Sequence, residues 1–87
     1  MMVWADIHYF KPHEFDSPDA PGSGFNMSLA FVHKLDQMRD AVKMPLIVVS
    51  GYRTELHNEK VGGVDSSAHT SGHAVDLRAL SSQTKFR

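Results

Sequence analysis

The 87-residue sequence contains no cysteine. Disulfide bonds, thiol catalysis and cysteine-ligated zinc are therefore excluded together. Any metal site in this chain has to be built from histidine and carboxylate side chains. The sequence supplies six histidines and ten acidic residues for that purpose.

Long apolar runs and clusters of basic residues are missing as well. The longest apolar run, PLIVV at 45–49, is far too short to span a bilayer, so we expect no membrane insertion. The N-terminal MMVWADIHYF has neither a positive segment nor a sustained apolar one, which argues against a secretory signal. With a net charge of −1 and no Lys/Arg cluster, the chain also lacks the basic residues with which proteins bind nucleic acid, so we expect no nucleic-acid partner.

What is present indicates one small globular domain over residues 1–87. The chain is 41% hydrophobic and 22% charged, which is ordinary for a folded protein and too apolar for a disordered one. Its length permits only a modest core. No internal repeat or low-complexity segment suggests a second unit.

The hydrophobic pattern predicts an α+β fold with a small antiparallel sheet and helices packed on one side. Helical spacing predicts a helix over 26–43, capped by Asn26 or Ser28, with its apolar stripe at Phe31, Val32, Leu35, Met38 and Val42. Two apolar strands are predicted, at 46–50 and 73–80, with a short helix capped by Thr54 between them. The proline- and glycine-rich segment 16–24 is predicted to be a surface loop.

Residues 66–76, SSAHTSGHAVD, raise the question of a metal site. His69 and His73 have the i, i+4 spacing of a helical zinc-binding pair. That motif needs a glutamate after its first histidine, however, and Thr70 stands there. Gly72 inside the helix would cost about 1 kcal/mol relative to alanine. A helical histidine pair is therefore disfavoured.

A turn at Gly72 gives a different pairing. A positive φ at this glycine folds the chain back, so that His69 on the incoming arm faces Asp76 on the outgoing strand. Strand alternation then directs His73 to the other face. The residues alone leave two interpretations open, a metal site built on His69 and Asp76 and an ordinary polar loop.

Several segments together resemble one family. SAHTSGHAVD at 67–76 matches the pattern S-x-H-x-x-G-x-A-x-D, and SGYRT at 50–54 precedes it in the expected order. YFKPHEF at 9–15 and HN…VGGV at 57–64 extend the match. In these segments the chain resembles the D-Ala-D-Ala carboxypeptidase-like zinc peptidases, which include VanX and VanY dipeptidases and phage endolysins. The resemblance implies a hedgehog/DD-peptidase-like version of the α+β fold.

The resemblance also implies a set of roles. His69 and Asp76 correspond to two zinc ligands of the family. Arg53 corresponds to the active-site arginine, which contacts the substrate and stabilises its carbonyl as it becomes an oxyanion. Ser67 corresponds to the motif serine, which supports either the ligand loop or the substrate. The implied activity is zinc-dependent hydrolysis of peptidoglycan stem peptides.

The sequence departs from the family pattern after Asp76. The family's third zinc ligand is a histidine beyond a further helix and strand, accompanied by an acidic base. Only LRALSSQTKFR follows Asp76 here, without His, Asp or Glu. We therefore expect either weak zinc binding or a site completed by water, a neighbouring chain or a rearranged His73. The helix start at Ser81 indicates a C-terminally truncated fragment, which the DNA encoding the region beyond Arg87 would test.

Three further expectations follow. A sheet deprived of its last strands exposes an edge, which favours a homo-oligomer or a domain swap. The absent base supports an alternative function, a non-catalytic relative that binds cell-wall peptide or a protein partner, as in hedgehog-type domains. An unrelated small domain with incidental histidines is a third interpretation. Without a signal peptide, the protein is expected to be made in the cytoplasm and to act on the cell wall after release.

Overall fold

The computed structural model describes residues 2–64 and 67–79 and confirms the α+β class. Along the chain the regular elements are α1 (Leu29–Val42), β1 (Leu46–Ser50), α2 (Glu55–Lys60) and β2 (Asp76–Ala79). Short 3-10 helices lie at Trp4–Asp6, Pro12–Phe15, Ser23–Asn26 and Ala68–Ser71. None of the helices in the described parts of the chain combines the length and the hydrophobicity that a membrane crossing requires.

Helix α1 starts and stops at local signals. It begins after Ser28, whose hydroxyl accepts a hydrogen bond from the Phe31 backbone N–H at 3.3 Å. It ends before Lys43, which has a left-handed φ of 57°. Of the two predicted N-caps, Ser28 is confirmed and Asn26 is not, because Ser23–Asn26 forms a separate 3-10 helix.

The buried side of α1 carries Val32, Leu35 and Asp36. Met38 and Val42, which the periodicity assigned to the same stripe, are each 41% exposed. The C-terminal part of the predicted stripe was therefore wrong. The reason is which segment of the chain packs against this helix.

The N-terminal segment packs on α1 through the Asp36 carboxylate. Its two oxygens accept the backbone N–H groups of His8 at 3.0 Å and of Tyr9 at 2.8 Å. A buried carboxylate with two such donors is compensated for its lost hydration. The helix residues around this contact are therefore buried, whereas those on the following turn of α1 are not.

The hydrophobic core comes mainly from the first 35 residues. Its buried members are Ile7, Phe10, Phe15, Met27, Val32 and Leu35. Leu46, Val48 and Leu77 of the two strands are partly buried and pack against this cluster. One face of the sheet is thereby joined to the core.

The two strands pair antiparallel with one irregularity. Val48 pairs with Leu77, but Ser50 rather than Val49 pairs with Asp76. Val49 is thus the extra residue of a β-bulge, a feature that changes the direction of neighbouring side chains. Because of this bulge, Ser50 and Asp76 lie opposite one another at the end of the sheet.

The second strand is shorter than predicted. The sequence assigned it residues 73–80, whereas β2 begins at Asp76. The backbone N–H of His73 donates to the carbonyl of Ala68 at 3.0 Å, so this residue belongs to the preceding turn and not to the ladder. Leu80 and the predicted helix start at Ser81 lie outside the described residues.

Candidate functional site

A tight turn brings the end of one 3-10 helix back toward β2. Ser67 caps that helix, because its hydroxyl accepts the backbone N–H of His69 at 3.2 Å. Gly72 ends it with a φ of 80°. A Cβ at this position would lie 2.4 Å from the carbonyl oxygen of Asn26, so both the conformation and the space require glycine.

The turn brings His69 and Asp76 together. His69 Nε2 lies 3.5 Å from Asp76 Oδ2. His69 Nδ1 lies 2.8 Å from the carbonyl oxygen of Gly51, and a carbonyl only accepts hydrogen bonds. In the neutral ring Nδ1 therefore carries the proton, and the lone pair of Nε2 is directed toward Asp76. A backbone carbonyl that orients a histidine in this way is characteristic of metal-ligating histidines.

His73 makes a different contact. Its side chain is exposed, and Nδ1 lies 3.1 Å from the hydroxyl of Ser71. Within residues 2–64 and 67–79, no group of three His, Asp or Glu side chains is suited to one metal ion. The geometry thus pairs His69 with Asp76, and their roles as zinc ligands remain predictions.

The spacing of the two donor atoms fits a shared ion. Two donors each about 2 Å from a tetrahedral zinc ion would lie about 3.3 Å apart. The observed 3.5 Å between Nε2 and Oδ2 is close to that separation. Asp76 is 58% exposed and His69 is 12% exposed, so an ion between them could take further ligands from the solvent side. His69 and Asp76 are therefore the residues that would hold zinc.

Arg53 lies beside this pair and is held on several sides. Its Nε donates to the Ser50 hydroxyl at 3.3 Å, and Nη1 donates to Asn58 Oδ1 at 3.1 Å. Nη2 lies 3.6 Å from Asp76 Oδ2, the same oxygen that faces His69. The backbone N–H of Arg53 donates to the carbonyl of His69 at 3.0 Å, which fixes the two segments relative to each other. A guanidinium fixed in this way can present its remaining donors to an anion or a carbonyl.

Asn58 is a site residue whose role the sequence did not indicate. The family match at 57–64 gave it no role at the site, yet it is only 4% exposed and contacts the guanidinium of Arg53. Its Nδ2 donates to the carbonyl of Val64 at 2.8 Å. The signal available in the sequence was Gly62-Gly63 directly after the helix. A Cβ at Gly63 would lie 2.0 Å from Asn58 Oδ1, so the glycine makes room for this amide.

Ser67 acts in the structure on the loop that carries His69. Besides its cap, its carbonyl accepts a hydrogen bond from the Thr70 hydroxyl at 2.6 Å. The motif implied that Ser67 supports either the ligand loop or the substrate, and these contacts are with the loop. Its proposed contact with substrate stays a prediction.

An open cleft of about 320 Å³ lies beside Arg53 and Asp76. It is at the lower end of the range for small-ligand sites. Its other lining residues include Glu14, Asp16, Val49, Tyr52, His57 and Val61. The sequence did not indicate that these residues share one site, because they come from three separate segments that only the tertiary structure assembles.

Comparison with known proteins identifies the class. Residues 9–87 match the family model described as Peptidase M15, and the chain belongs to this family. The resemblance inferred from the motifs is thereby confirmed. No solved structure matches the chain at a significant level.

One characterised protein is similar to part of this chain. Over 53 residues the chain is 42% identical to the zinc D-Ala-D-Ala carboxypeptidase of Streptomyces albus G. The aligned stretch covers 60% of this chain and 21% of that protein. The chain therefore matches about a fifth of the relative's length.

Proposed function

We propose that this protein is a zinc-dependent peptidase of the D-Ala-D-Ala carboxypeptidase type that acts on peptidoglycan stem peptides. The observation that carries the proposal is the pair of donor atoms, His69 Nε2 and Asp76 Oδ2, 3.5 Å apart. The hydrogen bond from His69 Nδ1 to Gly51 supports it, because it leaves Nε2 free for a metal. Membership of the M15 family supports a metallopeptidase. We also propose that the α+β fold of this chain is of the hedgehog/DD-peptidase-like type.

The side chains around the pair have complementary roles in this proposal. His69 and Asp76 hold the zinc ion. Arg53 donates hydrogen bonds to the oxygen of the scissile carbonyl as negative charge develops there. Val49 and Val61 line the apolar part of the cleft, which suits the methyl groups of two alanine residues. When bound, zinc supplies Lewis-acid chemistry that polarises a carbonyl and lowers the pKa of water.

A second candidate function is a non-catalytic relative that binds cell-wall peptide or a protein partner. It is favoured by the donor set, since the described residues offer His69 and Asp76 but no third ligand grouped with them. In this function Arg53 would bind a peptide carboxylate or carbonyl without turnover.

Zinc titration of the 87-residue protein by calorimetry tests the proposed site. We expect weak binding, because two protein ligands rarely hold zinc tightly. His69→Gln and Asp76→Asn should each reduce the affinity at least about tenfold, as expected for removal of a donor. His73→Gln is the matched control and should leave the affinity unchanged. Added imidazole, which supplies a third nitrogen donor, should tighten zinc binding in the wild type.

A cleavage assay on a stem peptide ending in D-Ala-D-Ala separates the two candidates. Because the described residues group no third ligand with His69 and Asp76, the 87-residue chain should show little or no turnover even with zinc. Peptide binding without turnover in every form of the protein would favour the non-catalytic relative. Nanomolar zinc binding with real turnover would mean that His73 or a second chain completes the site. Zinc binding that is unaffected by His69→Gln would refute the site itself.

A further inference from the structure

The amide of Asn58 has only one orientation that satisfies its neighbours. Oδ1 accepts from Arg53 Nη1 at 3.1 Å, and Nδ2 donates to the Val64 carbonyl at 2.8 Å. A flipped amide would direct its N–H groups against the guanidinium and its oxygen against the carbonyl, which is unfavourable at both ends. Because the side chain is buried, neither group could turn to water instead.

The same amide is fixed by the turn that follows α2. The backbone N–H of Gly63 donates to the Asn58 carbonyl at 2.8 Å, and Gly63 leaves the space in which the side-chain oxygen sits. The turn at 62–64 therefore determines where Oδ1 is presented. Through Oδ1, it determines where the guanidinium of Arg53 can lie.

The contact with Asn58 complements the other two contacts of Arg53. Ser50 binds Nε, Asp76 lies near Nη2, and Asn58 alone among these binds Nη1. A hydroxyl and an exposed carboxylate leave the guanidinium free to pivot. A buried acceptor with a fixed position restricts that rotation.

We propose that Asn58 is a positioning residue for Arg53, which the amide and the Gly63 turn together hold in one orientation beside Asp76. This inference rests on the proposed function only where it assigns Arg53 to the substrate. The restriction of the guanidinium is a property of the chain itself, and it needs neither zinc nor turnover.

NMR of the guanidinium group in the 87-residue protein tests this proposal. The measured quantity is the rate at which the Arg53 guanidinium rotates about its Nε–Cζ bond. The rate for the exposed Arg78 serves as an internal reference. Asn58→Leu removes both hydrogen bonds while keeping a side chain branched at the same atom, and it should accelerate rotation of Arg53 at least about tenfold, since the lost bond involves a charged group. A merely structural role in α2 would lower stability and leave this rate unchanged.

Two further variants separate the acceptor from the bulk of the side chain. Asn58→Asp keeps an oxygen toward Arg53 and loses the donor to Val64. It should preserve slow rotation, as a charge-assisted bond to the guanidinium would. Gly63→Ala displaces the amide without removing it and should accelerate rotation as Asn58→Leu does. Val64→Ala is the control, because only its backbone carbonyl takes part and its side chain is 74% exposed.

The outcomes are distinct. Fast rotation in Asn58→Leu and Gly63→Ala, with slow rotation in Asn58→Asp and Val64→Ala, supports the proposal. A folded Asn58→Leu protein with the wild-type rate overturns it. If Asn58→Leu does not fold, the comparison of Gly63→Ala with Val64→Ala decides, and equal rates there overturn the proposal. Neither result decides whether the protein is a zinc peptidase, because the zinc titration and the cleavage assay test that proposal separately.

Discussion

The two halves of this small protein are stabilised by different kinds of interaction. The half up to Leu35 contributes all six buried apolar residues of the core, including the fully buried Phe15 and Val32. The half from Ser50 to Asp76 contributes the candidate site, which is held by hydrogen bonds among turns. The comparison indicates that the first half stabilises the fold, whereas the second positions functional groups with little apolar burial of its own.

The halves meet where backbones approach closely. At Gly51 a Cβ would lie 2.7 Å from the Cα of Phe15, and the N–H of Tyr52 donates to the Phe15 carbonyl at 2.8 Å. At Gly72 the carbonyl accepts the N–H of Ser28 at 3.0 Å. The carbonyl of Gly51 is also the partner of the His69 ring. The site is thus attached to the core through glycine backbones.

The largest effect expected from this comparison is on stability, for a substitution in the core. Phe15→Ala should lower the free energy of unfolding by about 3–5 kcal/mol, because it removes a fully buried ring and leaves a cavity. Val49→Ala, at a cleft position that is 63% exposed, should change it by less than about 0.5 kcal/mol. Urea denaturation measures both values. Equal losses would show that the cleft side contributes to the core as well.

The next effect concerns turnover. In any form of the protein that cleaves stem peptide, Arg53→Ala should reduce turnover by about 10²–10³-fold, the usual loss of an oxyanion partner. Zinc content should stay unchanged, because Arg53 is not a ligand. Arg78→Ala removes an exposed arginine of β2 and serves as the control. Turnover near the wild-type value in Arg53→Ala would make this arginine structural.

A pair of glycines tests how the halves are joined. Gly72 and Gly22 both have positive φ, 80° and 89°, so alanine at either position should cost about 1–2 kcal/mol in conformational strain. A Cβ at Gly22 meets nothing within 4 Å, whereas one at Gly72 meets the carbonyl of Asn26 at 2.4 Å. Gly72→Ala should therefore be the more destabilising of the two in urea denaturation. Equal costs would mean that the close approach at Gly72 relaxes easily.

The sequence predicted the features that depend on a few neighbouring residues. Thr54 caps α2, and its hydroxyl accepts the N–H of His57 at 3.1 Å, as its position before the helix indicated. The positive φ of Gly72 and the approach of His69 to Asp76 follow from a ten-residue motif. In each case the physical cause, a cap or a permissive glycine, is visible within one turn of the chain.

The features that the sequence did not indicate depend on distant segments. Asp36 is buried because the N-terminal segment, about thirty residues earlier, donates two N–H groups to it. The bulge at Val49 exists because two strands pair out of simple register. Asn58 is buried because the turn at Gly63 encloses its amide. No local pattern records these contacts, so periodicity and capping rules could not predict them.

The smallest predicted effect lies in the loop that was expected to be a plain surface segment. Ser17 is 1% exposed there, and its hydroxyl donates to the carboxylate of Asp19, as does the Thr54 hydroxyl at 2.7 Å. These hydrogen bonds lower the pKa of Asp19 below its ordinary value of 3.8, and the bond from Ser17 has the larger effect. They tie the loop to the start of α2, and so connect the first half of the protein to the element that carries Asn58.

The direction of the pH dependence follows from that lowered pKa. The contribution of ionised Asp19 to stability is present above the ordinary aspartate pKa, and it is lost as the pH falls through the lower pKa of the folded state. Asp19→Asn should therefore be less stable than the wild type near neutral pH, and the difference should shrink on acidification below about pH 4. Urea denaturation at a series of pH values measures this. Glu59→Gln on the exposed side of α2 controls for the loss of one negative charge. A stability difference for Asp19→Asn that stays constant down to about pH 2 would contradict the assigned hydrogen bonds, because their strength depends on the ionised carboxylate.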